Sequence, residues 1–122
     1  MELIQIYQCL CDATRLRIVN LLTRGPLCVC HFQEILQIRQ TRVSQHLAYL
    51  RKHGMVESRR NGAWIIYSLP THRPPELEAH LKCLQDCVTS EKLFQDDLKR
   101  LEKTKKCESW KDTPLNPKST CC

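Results

Sequence analysis

Leu3, Ile6, Tyr7 and Leu10 recur at helical spacing and predict a short amphipathic first helix with these residues inward. Asp12 is placed to cap a second helix whose buried stripe is Leu16, Val19 and Leu22. Gly25-Pro26 breaks the chain. A third helix follows with Val29, Phe32, Ile35 and Leu36 facing the core. A fourth carries Val43, Leu47 and Leu50 and stops at Gly54, where the missing Cβ suits a left-handed cap. From Met55 to Leu69 the pattern changes. Polar Glu57, Ser58, Arg59 and Arg60 precede the β-branched and aromatic run Trp64-Ile65-Ile66-Tyr67, and Asn61-Gly62 lies between them. Both central residues of a type I′ turn need positive φ, so Asn-Gly predicts a two-stranded hairpin turning on that pair. Pro74-Pro75 then precedes one long final helix. Leu77, Leu81, Leu84 and Val88 form its apolar seam, wide enough for a partner helix. Beyond about Leu101 the periodicity stops and a flexible tail is expected over residues 103–122.

A length of 122 residues supports one domain, here residues 1–102, with a core modest enough that dimerisation would help to bury its apolar faces. No apolar run approaches the ~20 residues that span a bilayer, and MELIQIYQ lacks the basic and apolar regions of a secretory signal. A cytoplasmic protein without membrane contact is expected. The formal charge of +6 suits a polyanionic partner, although basic residues also serve solubility alone. Nine cysteines are the unusual feature. In a reducing compartment they point to metal binding or redox chemistry, while some are buried small hydrophobes.

Two short helices followed by a two-stranded wing define a winged helix-turn-helix: a mainly α fold with a small β element (α+β). With Val43, Leu47 and Leu50 inward, Gln40, Thr41, Arg42, Ser44, Gln45, His46 and Tyr49 are left on or near the outer face of the second helix of the pair. These side chains can donate and accept at base edges and phosphates of double-stranded DNA. Arg59 and Arg60, near the hairpin tip, can reach a neighbouring phosphate or the minor groove. A polar face on an isolated helix is more often simply solvated; helix pair, basic wing and net charge together favour DNA.

The blocks DATRLRIVNLL, LCVCHFQEIL, QTRVSQHLAYLRKHGMV and RRNGAWIIYSL resemble, in order, those of the ArsR/SmtB family of metalloregulatory repressors. The resemblance runs from about residue 3 to residue 90. It implies a homodimer, joined through terminal helices, that sits on a palindromic operator and leaves it when a toxic metal or metalloid binds. Arg39 stands where the family often has a capping Ser, and Ala13 where it often has Pro. In the arsenite-responsive branch the metal box has cysteines at the positions of Cys28, Cys30 and residue 33, but residue 33 here is Gln, and His31 replaces the usual acidic residue. The box is one sulfur short for inorganic trivalent arsenic. Residues i and i+2 also point about 200° apart on a helix, so Cys28 and Cys30 can share an atom only if the helix unwinds there or starts between them. In the cadmium/lead branch N-terminal thiols complete a four-sulfur site, for which Cys9 and Cys11 are weaker candidates.

Cys83 and Cys87 differ. Spacing i, i+4 places two thiols on one helix face within ~6 Å between Cβ atoms, off the middle of the Leu77–Val88 seam. Two thiolates suit a trivalent organoarsenical such as methylarsenite, whose third bond is held by carbon; Sb(III) analogues would fit similarly. Inorganic arsenite would need a third thiol from the tail or the other subunit. These two residues are the primary expected As(III) pair, with arsenic as inducer and no organic cofactor. They are also readable as half-buried cysteines at the edge of the seam. Glu76, Glu78, His80 and Asp86 do not match the family's zinc/cobalt spacing. Cys107, Cys121 and Cys122 lie in the tail, where ordering a mobile chain costs entropy.

An enzyme is not expected. Cys28-Val29-Cys30 is one residue too short for a C-x-x-C pair, and no phosphate loop or nucleophile–base pair is recognisable. The rivals are a cadmium/lead- or zinc-responsive repressor of the same fold, a thiol-redox-sensing repressor and a DNA-binding protein with no ligand.

Overall fold

Asp12 begins the architecture: its extended backbone and its side chain, accepting from the Arg15 N–H at 3.1 Å, start the second helix where expected. A computed structural model describes residues 3–87 and 90–104. Its elements run α1 (Leu3–Leu10), α2 (Ala13–Leu22), β1 (Leu27–Cys28), α3 (Val29–Leu36), α4 (Gln40–Lys52), β2 (Glu57–Asn61), β3 (Trp64–Ser68), α5 (Pro75–Cys87) and α6 (Lys92–Thr104).

The α3–turn–α4 unit is joined through Gln37, whose φ of 58° is the left-handed conformation that ends α3. At the far end of α4, Gly54 has φ 77° and the Met55 N–H donates to the Leu50 carbonyl at 2.9 Å, a glycine-dependent helix stop. Val43, Leu47 and Leu50 of α4 meet Phe32, Ile35 and Leu36 of α3 and Ile18, Val19, Leu21 and Leu22 of α2 in one buried cluster.

Four expectations need correction. Leu27 and Cys28 form a strand, paired with Tyr67 and Ile66, so the sheet has three antiparallel strands in the order β1-β3-β2. Two residues are too few to display alternation. The hairpin turns on Gly62-Ala63, because Asn61 already pairs with Trp64. Gly62 has φ 63° and Ala63 is not in the positive-φ region, the pattern of a II′ loop instead of I′. In α1, Ile6 and Cys9 are buried while Leu3, Ile4 and Tyr7 are exposed by 48%, 67% and 56%. The inward stripe is thus rotated from the one expected.

The last correction is the largest. The single final helix is two. After Cys87 the Ser90 hydroxyl donates to the Cys87 carbonyl at 2.9 Å, a side-chain bond that competes with helix continuation. The Glu91 carbonyl then accepts from the Gln95 N–H as α6 starts. Leu77 and Leu81 are buried in the chain's own core with Leu84 packed against it, so most of the expected partner seam is already covered. Val88 lies outside the described residues. So does the expected tail from residue 105 onward, with Cys107, Cys121 and Cys122, while Lys103 and Thr104 belong to α6.

The α6 helix packs on α2 and α3. Asp97, fully buried, receives two hydrogen bonds from Arg17, and Arg100 donates to the Ile35 carbonyl at 3.2 Å. No described helix is long and apolar enough to cross a membrane.

Candidate functional site

The burial pattern of α4 divides its surface. Val43, Leu47 and Leu50 face inward; Gln40, Thr41, Arg42 and Gln45 are exposed; Ser44 and His46 are half-buried. His46 feels the charges of Asp12, Arg15 and Arg42. Its burial lowers the imidazole pKa, the Asp12 charge raises it, the two cations lower it, and the net direction is down. The outward face is therefore carried by Thr41, Gln45 and their neighbours, with His46 at its margin. On the hairpin, Arg59 pairs with Ile66 and Arg60 with Ile65. Successive strand residues face opposite sides, so the two exposed arginines cannot serve one surface together. Arg60 also donates to the Gly62 carbonyl at 3.3 Å, bracing the tip.

The thiols fall into three settings. Cys9 is buried, and burial raises its pKa against the lowering charge of Arg15, with Cys11 adding to the rise. Cys11 is exposed, its Sγ 3.2 Å from the Gln8 carbonyl. No three His, Cys, Asp or Glu side chains among the described residues form a metal-holding group, so within one chain Cys9 and Cys11 do not complete a four-sulfur site with Cys28 and Cys30.

Cys28 and Cys30 do converge. Cys28 is the extended residue before α3, with φ −93° and ψ 167°, and the helix starts between the two. Their Sγ atoms stand 3.4 Å apart. His31, fully buried, accepts at Nδ1 from the Cys28 N–H at 3.3 Å, and the Cys28 Sγ is also 3.3 Å from Nδ1. Trp64 and Ile66 of β3 close the pocket around Cys28 and Cys30. Cys30 is disulfide-bonded here, so a shared ligand at this pair would require its reduction first.

Cys83 and Cys87 are both exposed free thiols on the last turns of α5. Hydrogen bonding with Cys83 is the main cause of a raised Cys87 pKa, followed by the Cys83 charge, burial and Asp86. Their i, i+4 spacing sets both side chains on one face of α5. Glu76 and Glu78 are exposed in the first turn, and His80 stacks at 4.8 Å on Tyr7 of α1.

The model of the bacterial regulatory protein, arsR family, matches residues 12–58, from the Asp12 cap through the helix pair into β2. HlyU from Vibrio cholerae shares the fold, with a TM-score of 0.64 and 26% identity over 71% of this chain and 91% of that one. An arsenical resistance operon repressor of Escherichia coli is 44% identical over 72 residues, 58% of this chain and 62% of that protein. The arsenic resistance transcriptional regulator ArsR1 of Pseudomonas putida is 39% identical over 98 residues, covering 80% of this chain and 76% of that protein. The chain belongs to the arsR family.

In this arsR-family regulator α3 and α4 form the helix-turn-helix pair and β2–β3 the wing. It is a transcriptional regulator and not an enzyme. The sequence reading missed the Arg15 contacts to α1 and α4, and the Arg17–Asp97 pair. The α4 and α6 partners leave no local signal, lying 34 residues away for Tyr49 and 80 for Asp97, whereas the α1 carbonyls are only six and seven residues from Arg15.

Proposed function

We propose that this arsR-family chain is an arsenical-responsive repressor that binds operator DNA as a homodimer and leaves it when trivalent arsenic is held by Cys83 and Cys87. The observation that carries the reading is the pair of exposed free thiols at i, i+4 on the last turns of α5. No third donor joins a metal-holding group with them among the described residues. Two sulfurs are what a monoalkylated trivalent arsenical requires: each As–OH leaves as water with a thiol proton, and two As–S bonds form. No proton is released overall, so the raised Cys87 pKa does not oppose the exchange. Antimony(III) analogues follow the same stoichiometry, and inorganic arsenite would need a further sulfur. The names of the Pseudomonas putida and Escherichia coli relatives support arsenic over cadmium, lead or zinc.

The homodimer reading is supported by the exposed apolar face of α1, formed by Leu3, Ile4 and Tyr7 beside His80 of α5. Gln40, Thr41, Arg42, Ser44, Gln45 and His46 of α4 would meet the major groove, and Arg59 or Arg60 the flanking backbone. Cys83 and Cys87 occupy the end of α5 just before the chain turns into α6, which grips α2 and α3. A ligand stiffening that turn would act on the spacing of the two DNA-reading heads without touching DNA. A coupling of about 1–3 kcal/mol is the usual size for such linkage.

The test is operator binding by fluorescence anisotropy in reducing buffer, titrated with methylarsenite, arsenite, cadmium and zinc. Methylarsenite should release the wild type. The Cys83→Ser/Cys87→Ser variant should bind operator normally and stay bound; normal release by this variant overturns the assignment. Thiol-redox sensing is the second reading, favoured by the disulfide at Cys30. It predicts release by peroxide and none by arsenicals under reducing conditions.

A further inference from the structure

Arg15 links two elements whose relative orientation decides operator recognition. Its Nε donates to the Cys9 carbonyl and its Nη2 to the Gln8 carbonyl, both at 3.0 Å. These are carbonyls of the last turn of α1, which have no partners within that helix. The same guanidinium lies 4.2 Å from the centre of the Tyr49 ring, on α4. Tyr49 in turn packs against His53 with ring centroids 4.5 Å apart. The Arg15 backbone N–H is itself pinned by Asp12. One planar group therefore fixes the end of the helix with the exposed apolar face to the C-terminal part of the helix that carries Thr41 and Gln45.

We infer that Arg15 is a positioning residue for operator binding, setting the angle of α4 relative to α1 so that two α4 helices of a dimer match two half-sites at once. This inference rests on the reading of the chain as an operator-binding homodimer and deepens it. Arg15 contacts no DNA in this role; it acts through Tyr49. A flat guanidinium can accept the ring on its face while donating two bonds along its edge. A lysine ammonium, with the same charge, can reproduce neither the fork nor the stacking. The geometry of a dimer amplifies the effect. A small change in tilt of each α4 leaves a single half-site readable but spoils the simultaneous fit of both, whose centres lie about 34 Å apart in the usual arrangement.

The experiment compares two DNA duplexes: one carrying a palindromic site selected in vitro with the wild-type protein, and the same duplex with one half-site scrambled. Arg15→Lys should lose tenfold or more in affinity for the intact palindrome and less than twofold for the half-site. Its salt dependence should be unchanged because no phosphate contact is removed. Tyr49→Leu, which keeps an apolar side chain but removes the ring, should give the same split. The double variant should be no worse than either single one, since both break one contact. Equal losses on both duplexes, or none on the palindrome, overturn the inference. If Arg15→Lys unfolds, the split in Tyr49→Leu decides alone. Failure of the wild type to select any palindrome sinks the operator-binding reading itself, an outcome distinct from failure of the Arg15 variants.

Discussion

Arg17 and Asp97 meet through two hydrogen bonds of 2.8 Å, Nε to Oδ2 and Nη2 to Oδ1, and Asp97 has no exposed surface. The pair docks α6 on α2, and Arg100, 3.5 Å from the same carboxylate, extends the contact to α3. Removing one member of a buried pair strands the other charge. Asp97→Ala should destabilise the fold by about 3 kcal/mol, at the low end for such pairs because Arg17 retains some access to water. Calorimetry should show the lowered Tm, and amide exchange should rise first in α6.

Cys28 and Cys30 converge because α3 starts between them, yet residue 33 is Gln and no third donor completes a metal-holding group among the described residues. Cys28→Ala should leave release by methylarsenite intact. It should cost about 1 kcal/mol of stability through lost packing of a buried side chain. Alanine is the informative replacement, since serine would bury a hydroxyl.

On the wing, Arg59 and Arg60 point to opposite faces. Only one of Arg59→Ala and Arg60→Ala should therefore weaken operator binding strongly. In that variant the slope of log K against log salt should fall by about 0.9, the value for one phosphate contact. Anisotropy titrations at four salt concentrations distinguish this from equal effects of both.

Exposed Ile4 and Tyr7 support dimerisation through α1. Ile4→Glu lies outside the chain's own core, so it should fold as a monomer in sedimentation and lose affinity for the palindromic site. A variant that remains dimeric would move the interface elsewhere.

Two groups near Arg15 give a pH signature. His46 has its pKa lowered mainly by burial, against the Asp12 charge and with the help of Arg15 and Arg42. As pH falls, the unfolded chain takes up this proton first, so stability held above about 6.5 declines from there toward the lower folded pKa. At Asp12, burial raises the carboxyl pKa, but the Arg15 N–H, the charges of His46 and Arg15, and the Thr14 N–H outweigh it and hold it down. Its contribution is present above about 3.9 and is lost as pH falls through the folded pKa. The Tm should drop in two stages, the first abolished by His46→Gln and the second by Asp12→Asn.

The helix pair and wing were legible because their signals are local: the Asp12 cap, the Val43–Leu47–Leu50 stripe, and Gly54. The i, i+4 spacing of Cys83 and Cys87 was legible for the same reason. What the sequence concealed was long-range. Continuous heptad-like leucines predicted one helix, but the Ser90 hydroxyl and the pull of Asp97 toward Arg17 favour two. The side that α1 turns inward depended on which neighbours it met, and periodicity cannot decide that when Ile4 and Ile6 are both apolar. The convergence of Cys28 and Cys30 hung on a single residue's helix boundary, the least readable feature of a sequence.

Residue 28 has two memberships: it is the outer rung facing Ile66 in the sheet and the cap on which α3 is seated. A backbone displacement there must shear the β1–β3 ladder or unseat α3. Wing and helix pair are thereby welded at one pivot, and a chimera that imports another repressor's hairpin would inherit a mismatched joint unless residues 27 and 28 travelled with it.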